Sequence, residues 1–335
     1  MKISVALCTY NGGRFLKEQL DSILNQTLKV DEIIVCDDIS TDNTLTILEE
    51  YSNKNPNLFK IYKNEKNLRS VKNFEKAISL CRGDVIFLSD QDDIWIPKKV
   101  EYYIQYFNEN TEIKVLASNG FCIDENSIIH EKYSVWDVPS FLLENNIKFD
   151  YYSLISYVSN IATGASIAIR KEMVARILPF PIIPNFHHDE WIAIISSKEN
   201  SFELLNGKYF YYRTHLNQQV GGVFYNNSKK VKKSLIETFN IYQEKNTYIS
   251  FKRKLKKLCH AYIRNHNLLV ASSGYNYIFE TNLVQIEKLF FETKSKFKKY
   301  SPIRYFLLNI SDVIFNKRQF QKIKEISKLN LNNKI

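Results

Sequence analysis

The sequence predicts an α/β chain, a mostly parallel sheet flanked by helices, followed by a basic and mostly helical C-terminal region. Three observations carry this reading. Short β-branched and aromatic runs alternate four times with segments whose apolar residues recur at helical spacing, the pattern of right-handed strand–helix–strand crossovers. Polar clusters close three of those four runs. Charge is split along the chain: residues 226–335 hold 23 Lys and Arg against 7 Asp and Glu, a net +16, so the first 225 carry −6 of the overall +10. The expected division is 1–225 for the α/β domain and 226–335 for the basic helical region.

Ile3–Thr9 is a near-continuous apolar strand, as expected of a parallel strand covered on both faces. It breaks at Tyr10-Asn11-Gly12-Gly13, and Phe15, Leu16, Leu20, Ile23 and Leu24 then mark a helix to about Gln26. Ile33–Cys36 is the second strand and ends at Asp37-Asp38. Ser40, Thr41 and Asp42 supply N-cap chemistry for a helix carrying Leu45, Ile47, Leu48 and Tyr51. Phe59–Tyr62 reads as the third strand. The third helix carries Val71, Phe74, Ala77, Ile78 and Cys81, with Gly83 closing it. Val85–Leu88 is the fourth strand. Beyond it the pattern gives a helix after Pro97, strands at Val115–Ser118 and Phe121–Ile123, and an irregular aromatic stretch from 132 to 160. A strand at Ile167–Ile169, a helix from Lys171 to Leu178, a helix around Ile192–Ile195 and a strand at Tyr209–Arg213 complete the domain.

Val85-Ile86-Phe87-Leu88-Ser89-Asp90-Gln91-Asp92-Asp93-Ile94-Trp95 is the stretch with the most chemistry. An apolar strand halts in three carboxylates within four residues. Crowded carboxylates repel one another unless positive charge sits among them. Their oxygens suit Mg²⁺ or Mn²⁺, and Mg²⁺ characteristically takes one or two protein carboxylates plus substrate phosphates. A solvated acidic turn is the plainer alternative. The placement of the other clusters favours the site: Thr9-Tyr10-Asn11, Asp37-Asp38 and Asp90–Asp93 all fall beyond the carboxyl ends of strands, where ligands of such sheets bind.

Several classes are excluded. Thr9-Tyr10-Asn11-Gly12-Gly13-Arg14 lacks the glycine spacing of a dinucleotide fingerprint, and no Walker motif occurs. His187, His188 and Glu190 have no partner at zinc spacing. Five scattered cysteines without a Cys-x-x-Cys pair point to a reducing compartment. The opening residues do not form a signal peptide, and no run of about 18 apolar residues exists. A cytoplasmic protein, at most resting on a membrane, is expected.

Five motifs occur in an order that resembles the family 2 glycosyltransferases of the GT-A fold. They are Leu7-Cys8-Thr9-Tyr10-Asn11-Gly12, Cys36-Asp37-Asp38-Ile39-Ser40-Thr41-Asp42, Leu88–Trp95, His188-Asp189-Glu190-Trp191 and Tyr212-Arg213-Thr214-His215-Leu216-Asn217. Ser-Asp-Gln-Asp-Asp-Ile-Trp and His-Asp-x-Trp are similar to the rhamnosyltransferase-like branch, and the resemblance spans roughly 1–222. It implies that Thr9 and Tyr10 contact the donor nucleobase, that Asp38 accepts from a pyrimidine ring, and that Lys72 lies near the nucleotide. Asp90 and Asp92 match the family's Asp-x-Asp motif, Asp92 being the direct ligand of Mn²⁺ or Mg²⁺. Asp189 matches the catalytic base, and His215 sits where some relatives bring a loop histidine to the metal or diphosphate. One departure stands out: Ile39 replaces the glycine of the usual Asp-Asp-Gly-Ser, so a different backbone is expected there.

The resemblance implies transfer of a sugar from a nucleotide diphosphate, dTDP-rhamnose or a UDP-sugar, to a glycan or lipid-linked acceptor in bacterial surface polysaccharide synthesis. One base and no carboxylate nucleophile favour inversion by direct displacement. The alternatives are a UDP-hexose transferase (galactose, glucose or N-acetylhexosamine) and a non-catalytic nucleotide-sugar-binding scaffold. Some residues have plainer readings. Asp37 and Asp38 also suit capping of the following helix, Asp93 reads as an N-cap near Pro97, and His215 as a solvated loop residue. Trp95 and Trp191 read as packing residues, although Trp191 is also placed to line the sugar pocket. In the C-terminal region, Ile249, Phe251, Leu255, Leu258, Tyr262 and Ile263, then Ile286, Leu289 and Phe290, recur at helical spacing between lysine pairs. Docking on an anionic membrane is favoured over a solvated lysine face, and nucleic acid is not expected because no recognition motif occurs.

Overall fold

The computed structural model describes every residue except 217, 219–222, 241–245, 273, 316, 319, 321–322 and 324–335. In chain order the elements are β1 (Ile3–Thr9), α1 (Leu16–Leu24), β2 (Glu32–Asp37), α2 (Thr44–Lys54), β3 (Phe59–Lys63), α3 (Arg69–Leu80), β4 (Val85–Ser89), β5 (Ile94–Trp95), α4 (Lys99–Glu109), β6 (Val115–Ile123), β7 (Ile129–His130), β8 (Lys132–Ser134), α5 (Val138–Glu144) and α6 (Tyr151–Tyr157). These are followed by β9 (Ala168–Arg170), α7 (Val174–Ile177), α8 (His188–Lys198), β10 (Phe202–Arg213), β11 (Phe224–Asn226), α9 (Lys229–Phe239), α10 (Tyr248–Ala271), α11 (Asn276–Tyr300) and α12 (Pro302–Ile314). The chain divides into two compact units. One comprises Met1–Tyr152, Asn160–Phe180 and Asn185–Ile236, and the other Ser153–Ser159, Pro181–Pro184 and Glu237–Ile335.

The first unit is built on a sheet in the order β3-β2-β1-β4-β9-β6-β10-β5, with β7 paired to β6. β1 is parallel to both β2 and β4, and every residue of the three strands is buried, which explains their unbroken apolar runs. In register, Thr9 pairs with Asp37 and Leu7 with Ser89, so the loops that follow all three strands leave the sheet on one edge. α1 buries Leu16, Leu20 and Ile23, and α3 buries Phe74, Ala77 and Ile78, the residues that spacing assigns to their inner faces.

Five details depart from the sequence reading. Val115–Ile123 is one nine-residue strand, and Gly120 within it passes so close to the Phe210 ring that an added Cβ would stand 2.7 Å from it. β9 enters antiparallel between β4 and β6, so the sheet is mixed. β10 begins at Phe202 and is long enough to pair with β6 in parallel and with β5 in antiparallel. α3 stops at Leu80, and Gly83 instead marks a close approach to β1, where an added Cβ would lie 2.8 Å from the Ser4 amide nitrogen. The Lys171–Leu178 helix is reduced to a 3₁₀ turn and the short α7.

In the second unit, α10 and α11 pack on one core. Phe251 stacks on Phe297 at 4.9 Å and Phe290 on Phe320 at 4.5 Å, with Leu255, Leu258, Tyr262, Ile286 and Leu308 between them. Ile249 and Ile263, spaced as core residues, are exposed. Among the described residues, no helix is long and apolar enough to cross a membrane.

The first unit's core is testable at Phe87 of β4, which is fully buried with Trp95 at 5.6 Å and Tyr103 at 5.4 Å. Phe87→Ala should destabilise this unit by about 3–5 kcal/mol in urea titration. A loss under about 1 kcal/mol would be incompatible with this packing.

Candidate functional site

Three loops at the carboxyl edge of the sheet are tied together by their own side chains. Thr9 ends β1 with its hydroxyl donating to Asp37 Oδ2 (2.8 Å), and Asp37 also receives the Ser40 amide (2.9 Å) and hydroxyl (2.6 Å). Asp42 receives the Thr44 amide at 3.0 Å in the turn that leads into α2. Asp38 turns the other way: it accepts from Asn64 Nδ2 (2.8 Å) and from the amides of Leu68 (2.7 Å) and Arg69 (2.9 Å), at the N-terminus of α3. Its Oδ2 takes one of these bonds and keeps a free lone pair. Directly after the two carboxylates Ile39 holds φ at +60°, the left-handed conformation that glycine favours. A β-branched residue thus carries the left-handed strain at this position.

The acidic loop after β4 is held from both sides. Gln91 clasps the β1 loop, receiving the Tyr10 amide at 2.8 Å and donating to the Tyr10 carbonyl at 3.0 Å. Gly12 lies against that clasp, with room for no Cβ: one would stand 2.2 Å from Gln91 Oε1. Arg213, at the end of β10 and fully buried, secures the other side. Its guanidinium donates to the carbonyls of Asp92 (2.8 Å) and Asp124 (3.2 Å), to Ser127 Oγ (2.9 Å) and to Glu18 Oε2 (2.9 Å). Its amide donates to Asp93 Oδ1 at 3.0 Å, which makes Asp93 an anchor for β10 and not the helix cap expected near Pro97. The next turn carries His215 back, placing Nε2 2.9 Å from Asp92 Oδ2. An open cleft of about 450 Å³ adjoins His215, with Asp124, Glu125, Tyr212 and Phe224 among its lining residues.

Beneath the acids lies Lys99, buried at 0% exposure. Its ammonium donates to the Ala165 carbonyl at 2.7 Å and sits 4.0 Å from the Trp95 ring centroid. Burial lowers the lysine to about 7, against the pull of Asp93 and Asp90. Burial, with the charges of Asp92 and Asp189 added, raises Asp90 to about 7. Asp93 is pushed well above the carboxylate range by burial and by Asp92 and Asp90.

Asp189 enters from the first turn of α8. It accepts the Glu190 amide (2.7 Å) and the Gly164 amide (3.3 Å), and burial together with Glu190 raises its carboxyl to about 7. Gly164 is the contact point of this corner. A Cβ there would stand 2.7 Å from His188 Nε2 and 3.8 Å from Asp90 Oδ2. His188 stacks on Phe74 at 4.1 Å, both its ring nitrogens lack a hydrogen-bond partner among the described residues, and burial lowers it to about 3.

The structure thus brings Thr9, Tyr10, Asp90, Asp92, Asp189 and His215 to one edge. Tyr10 is 42% exposed, with its ring accessible. Lys72 lies on α3, paired with Glu75 at 2.7 Å and 3.4 Å from the Phe180 carbonyl, and away from the loop acids. Trp191 is corrected: only 2% exposed, with its indole donating to the Ile177 carbonyl at 2.8 Å, it packs under α8 and offers no face to a sugar. The three-ligand set of Asp92, Asp90 and His215 is reduced to the Asp92–His215 contact. Among the described residues, no group of three His, Cys, Asp or Glu side chains is disposed to hold a metal. Asn217 of the last motif, and Gln219–Gly222 after it, lie outside the described residues. Sequence reasoning gave no role to Arg213, Lys99, Gln91 or Gly164. Only Arg213 had a signal, as the polar end of an aromatic strand.

The model of glycosyl transferase family 2 matches residues 4–178. An uncharacterized glycosyltransferase of Methanocaldococcus jannaschii is 35% identical over 152 residues, 43% of this chain and 52% of that protein. A dTDP-rhamnosyl transferase of Shigella flexneri is 29% identical over 227 residues, 64% of this chain and 73% of that one. The chain spans about half the length of several curated relatives that it matches. Among solved structures, a mannosyltransferase from Pyrobaculum calidifontis in complex with GDP-Man and Mn²⁺ superposes with a TM-score of 0.50 at 12% identity, covering 98% of this chain and 86% of that one. At that identity the likeness concerns the fold, which is GT-A.

Ile39 provides a test of the loop between β2 and α2. Ile39→Gly should stabilise the protein by about 1–2 kcal/mol, because glycine removes the left-handed steric penalty. An unchanged or lowered melting temperature would mean that the side chain compensates through contacts with its surroundings.

Proposed function

The chain belongs to glycosyl transferase family 2, and on that premise we propose that it moves a sugar, with inversion, from a pyrimidine nucleotide diphosphate to a glycan or lipid-linked acceptor in surface polysaccharide synthesis. The observation that carries this reading is the convergence of Asp90, Asp92, His215 and Asp189 on one sheet edge. dTDP-rhamnose is the favoured donor, supported by the activity for which the Shigella flexneri relative is named. A UDP-hexose is the second reading.

The donor set fits Mn²⁺ or Mg²⁺. Asp92 and His215 offer an oxygen and a nitrogen 2.9 Å apart, and two protein ligands suit an ion whose remaining positions are filled by phosphates and water. Such an ion stabilises the charge that develops on a departing diphosphate. Asp92 and His215 would hold it, with Asp90 beside them. Tyr10 flanks the base, Thr9, 1% exposed with its hydroxyl given to Asp37, holds the loop behind it, and Asp38 keeps one lone pair of Oδ2 for a ring N–H. Lys72 stands one helical turn beyond the α3 terminus that Asp38 caps.

Asp189 is the base. Its Oδ1 and Oδ2 are aimed by the Glu190 and Gly164 amides, and either retains a lone pair for the acceptor hydroxyl. A non-catalytic scaffold would leave Asp189, aimed by two backbone amides, without a role. The acceptor is assigned to the cytoplasmic face of the membrane, with the basic C-terminal region docking on anionic lipid.

Calorimetric titration of UDP, dTDP and GDP with and without Mn²⁺ tests the donor site. Metal-dependent binding of one pyrimidine diphosphate, lost in Asp92→Ala, is expected; binding of none would overturn the donor site. Asp189→Asn should lower transfer at least about 100-fold with donor affinity unchanged. The base must be ionised, so kcat/KM should rise with pH up to about 7 and level above it. A flat profile between pH 5 and about 8 would remove Asp189 from the role.

A further inference from the structure

α12 presents the wrong face to solvent for a helix of a soluble unit. Leu308 and Asp312 are its buried residues, whereas Ile303 (76%), Phe306 (64%), Leu307 (58%), Ile310 (41%), Val313 (69%) and Ile314 (68%) are exposed. At 100° per residue these six fall in an arc of about 120°, the width of a stripe that normally faces a core. The stripe carries no acid. The one carboxylate of the helix, Asp312, is on the opposite side and bound by Arg318.

Charge complementarity says what covers the stripe. The end of α11 that leads into it exposes Lys296, Lys298, Lys299 and Tyr300, and Arg304 and Lys317 are exposed at its borders. A groove of about 450 Å³ beside it is lined by Thr247, Tyr248, Ile249, Arg304 and Leu307, with the Arg304 guanidinium 5.9 Å from the Tyr248 ring. A 13-residue helix is about 20 Å long, too short to span a bilayer of about 30 Å but suited to lie in its interface. Apolar residues on one face and cations along the edge are the composition of an interfacial helix.

We propose that α12 is a membrane-insertion helix: Ile303, Phe306, Leu307, Ile310, Val313 and Ile314 enter the acyl boundary of an anionic bilayer, while Lys298, Lys299, Arg304 and Lys317 engage its headgroups. The choice of lipid rests on the proposed lipid-linked acceptor. The surface itself is independent of it. Docking here would confine the enzyme to the plane of its acceptor and reduce its search to two dimensions.

The test uses the full chain and sedimentation with phosphatidylcholine vesicles, with and without phosphatidylglycerol. Wild type should bind the anionic vesicles, and Phe306→Asp with Ile310→Asp should weaken binding at least about 10-fold. Lys298→Glu with Lys299→Glu should cost about fivefold per lysine at low salt and less at high salt. Phe306→Trp should shift its emission to the blue on anionic vesicles and be quenched by brominated lipid. Far-ultraviolet circular dichroism and nucleotide titration without vesicles should match wild type throughout, and that titration reports separately on the transferase reading. Equal vesicle binding by the Asp double variant, or an emission of Phe306→Trp unmoved by lipid, would overturn the proposal. So would a wild-type dimer that ignores vesicles and is dissolved by the Asp pair, which would assign the face to a second copy of the chain.

Discussion

Crowded carboxylates are the constraint around which the first unit is arranged. Asp90, Asp92, Asp93 and Asp189 gather at one edge, and two like charges about 4 Å apart cost about 4 kcal/mol even at an effective dielectric of 20. Two cations hold the arrangement together, by different means. Arg213 is permanently charged and works as a clamp, binding the Asp92 carbonyl, the Asp124 turn and Glu18 of α1 in one plane of donors. Lys99 is a dry ammonium beneath the acids, and burial lowers it to about 7, where Asp90 and Asp189 also stand. Burial and mutual repulsion therefore oppose full ionisation of these carboxylates, and a positive charge placed among them would favour it.

The loops show how such a cluster is kept in register. Gln91 stands between two acids yet faces away from their chemistry, suturing the acidic loop to the β1 loop through both polar atoms of Tyr10's backbone. Gly12 makes that approach feasible, and Gly164 does the same between Asp90 and His188. Ile39 is the exception. It adopts the conformation that glycine would take at no cost, because the bonds of Asp37 to Ser40 and of Asp38 to the α3 amides fix the chain on both sides of it. Strain of this kind persists where surrounding contacts over-determine the backbone, and here it lies directly after Asp37 and Asp38.

Much of this was legible in the sequence, for stated reasons. Strands buried on both faces leave unbroken apolar runs, so β1, β2 and β4 and the shared edge of their loops could be read directly. Periodicity does not encode strand direction or partner, so the antiparallel entry of β9 and the double pairing of β10 could not. Charged residues default to the surface in any sequence reading. Nothing in the sequence separates Lys99 from its neighbour Lys98, and only the tertiary fold shows it buried against Trp95. Asp38 illustrates non-local capping: its partners are 30 and 31 residues away on α3, whereas a sequence reading assigns a cap to the next helix. Trp191 was open to two readings, and a single indole bond to Ile177 decided for packing.

The net charge of +10 combines two opposite devices. An acidic surplus in the first 225 residues includes the carboxylates gathered at one sheet edge, where the proposed function places a cation and the phosphates it carries. A surplus of cations after residue 226 would oppose that function if spread evenly, since it would compete for the same phosphates. In the second unit, the lysines at the end of α11 instead adjoin a solvent-exposed apolar stripe. Free phosphate gains nothing from Ile303, Phe306 or Ile310, and neutral lipid gains nothing from Lys298 and Lys299. A surface that is anionic at its headgroups and apolar beneath satisfies both, which is why a bilayer is the partner proposed for α12.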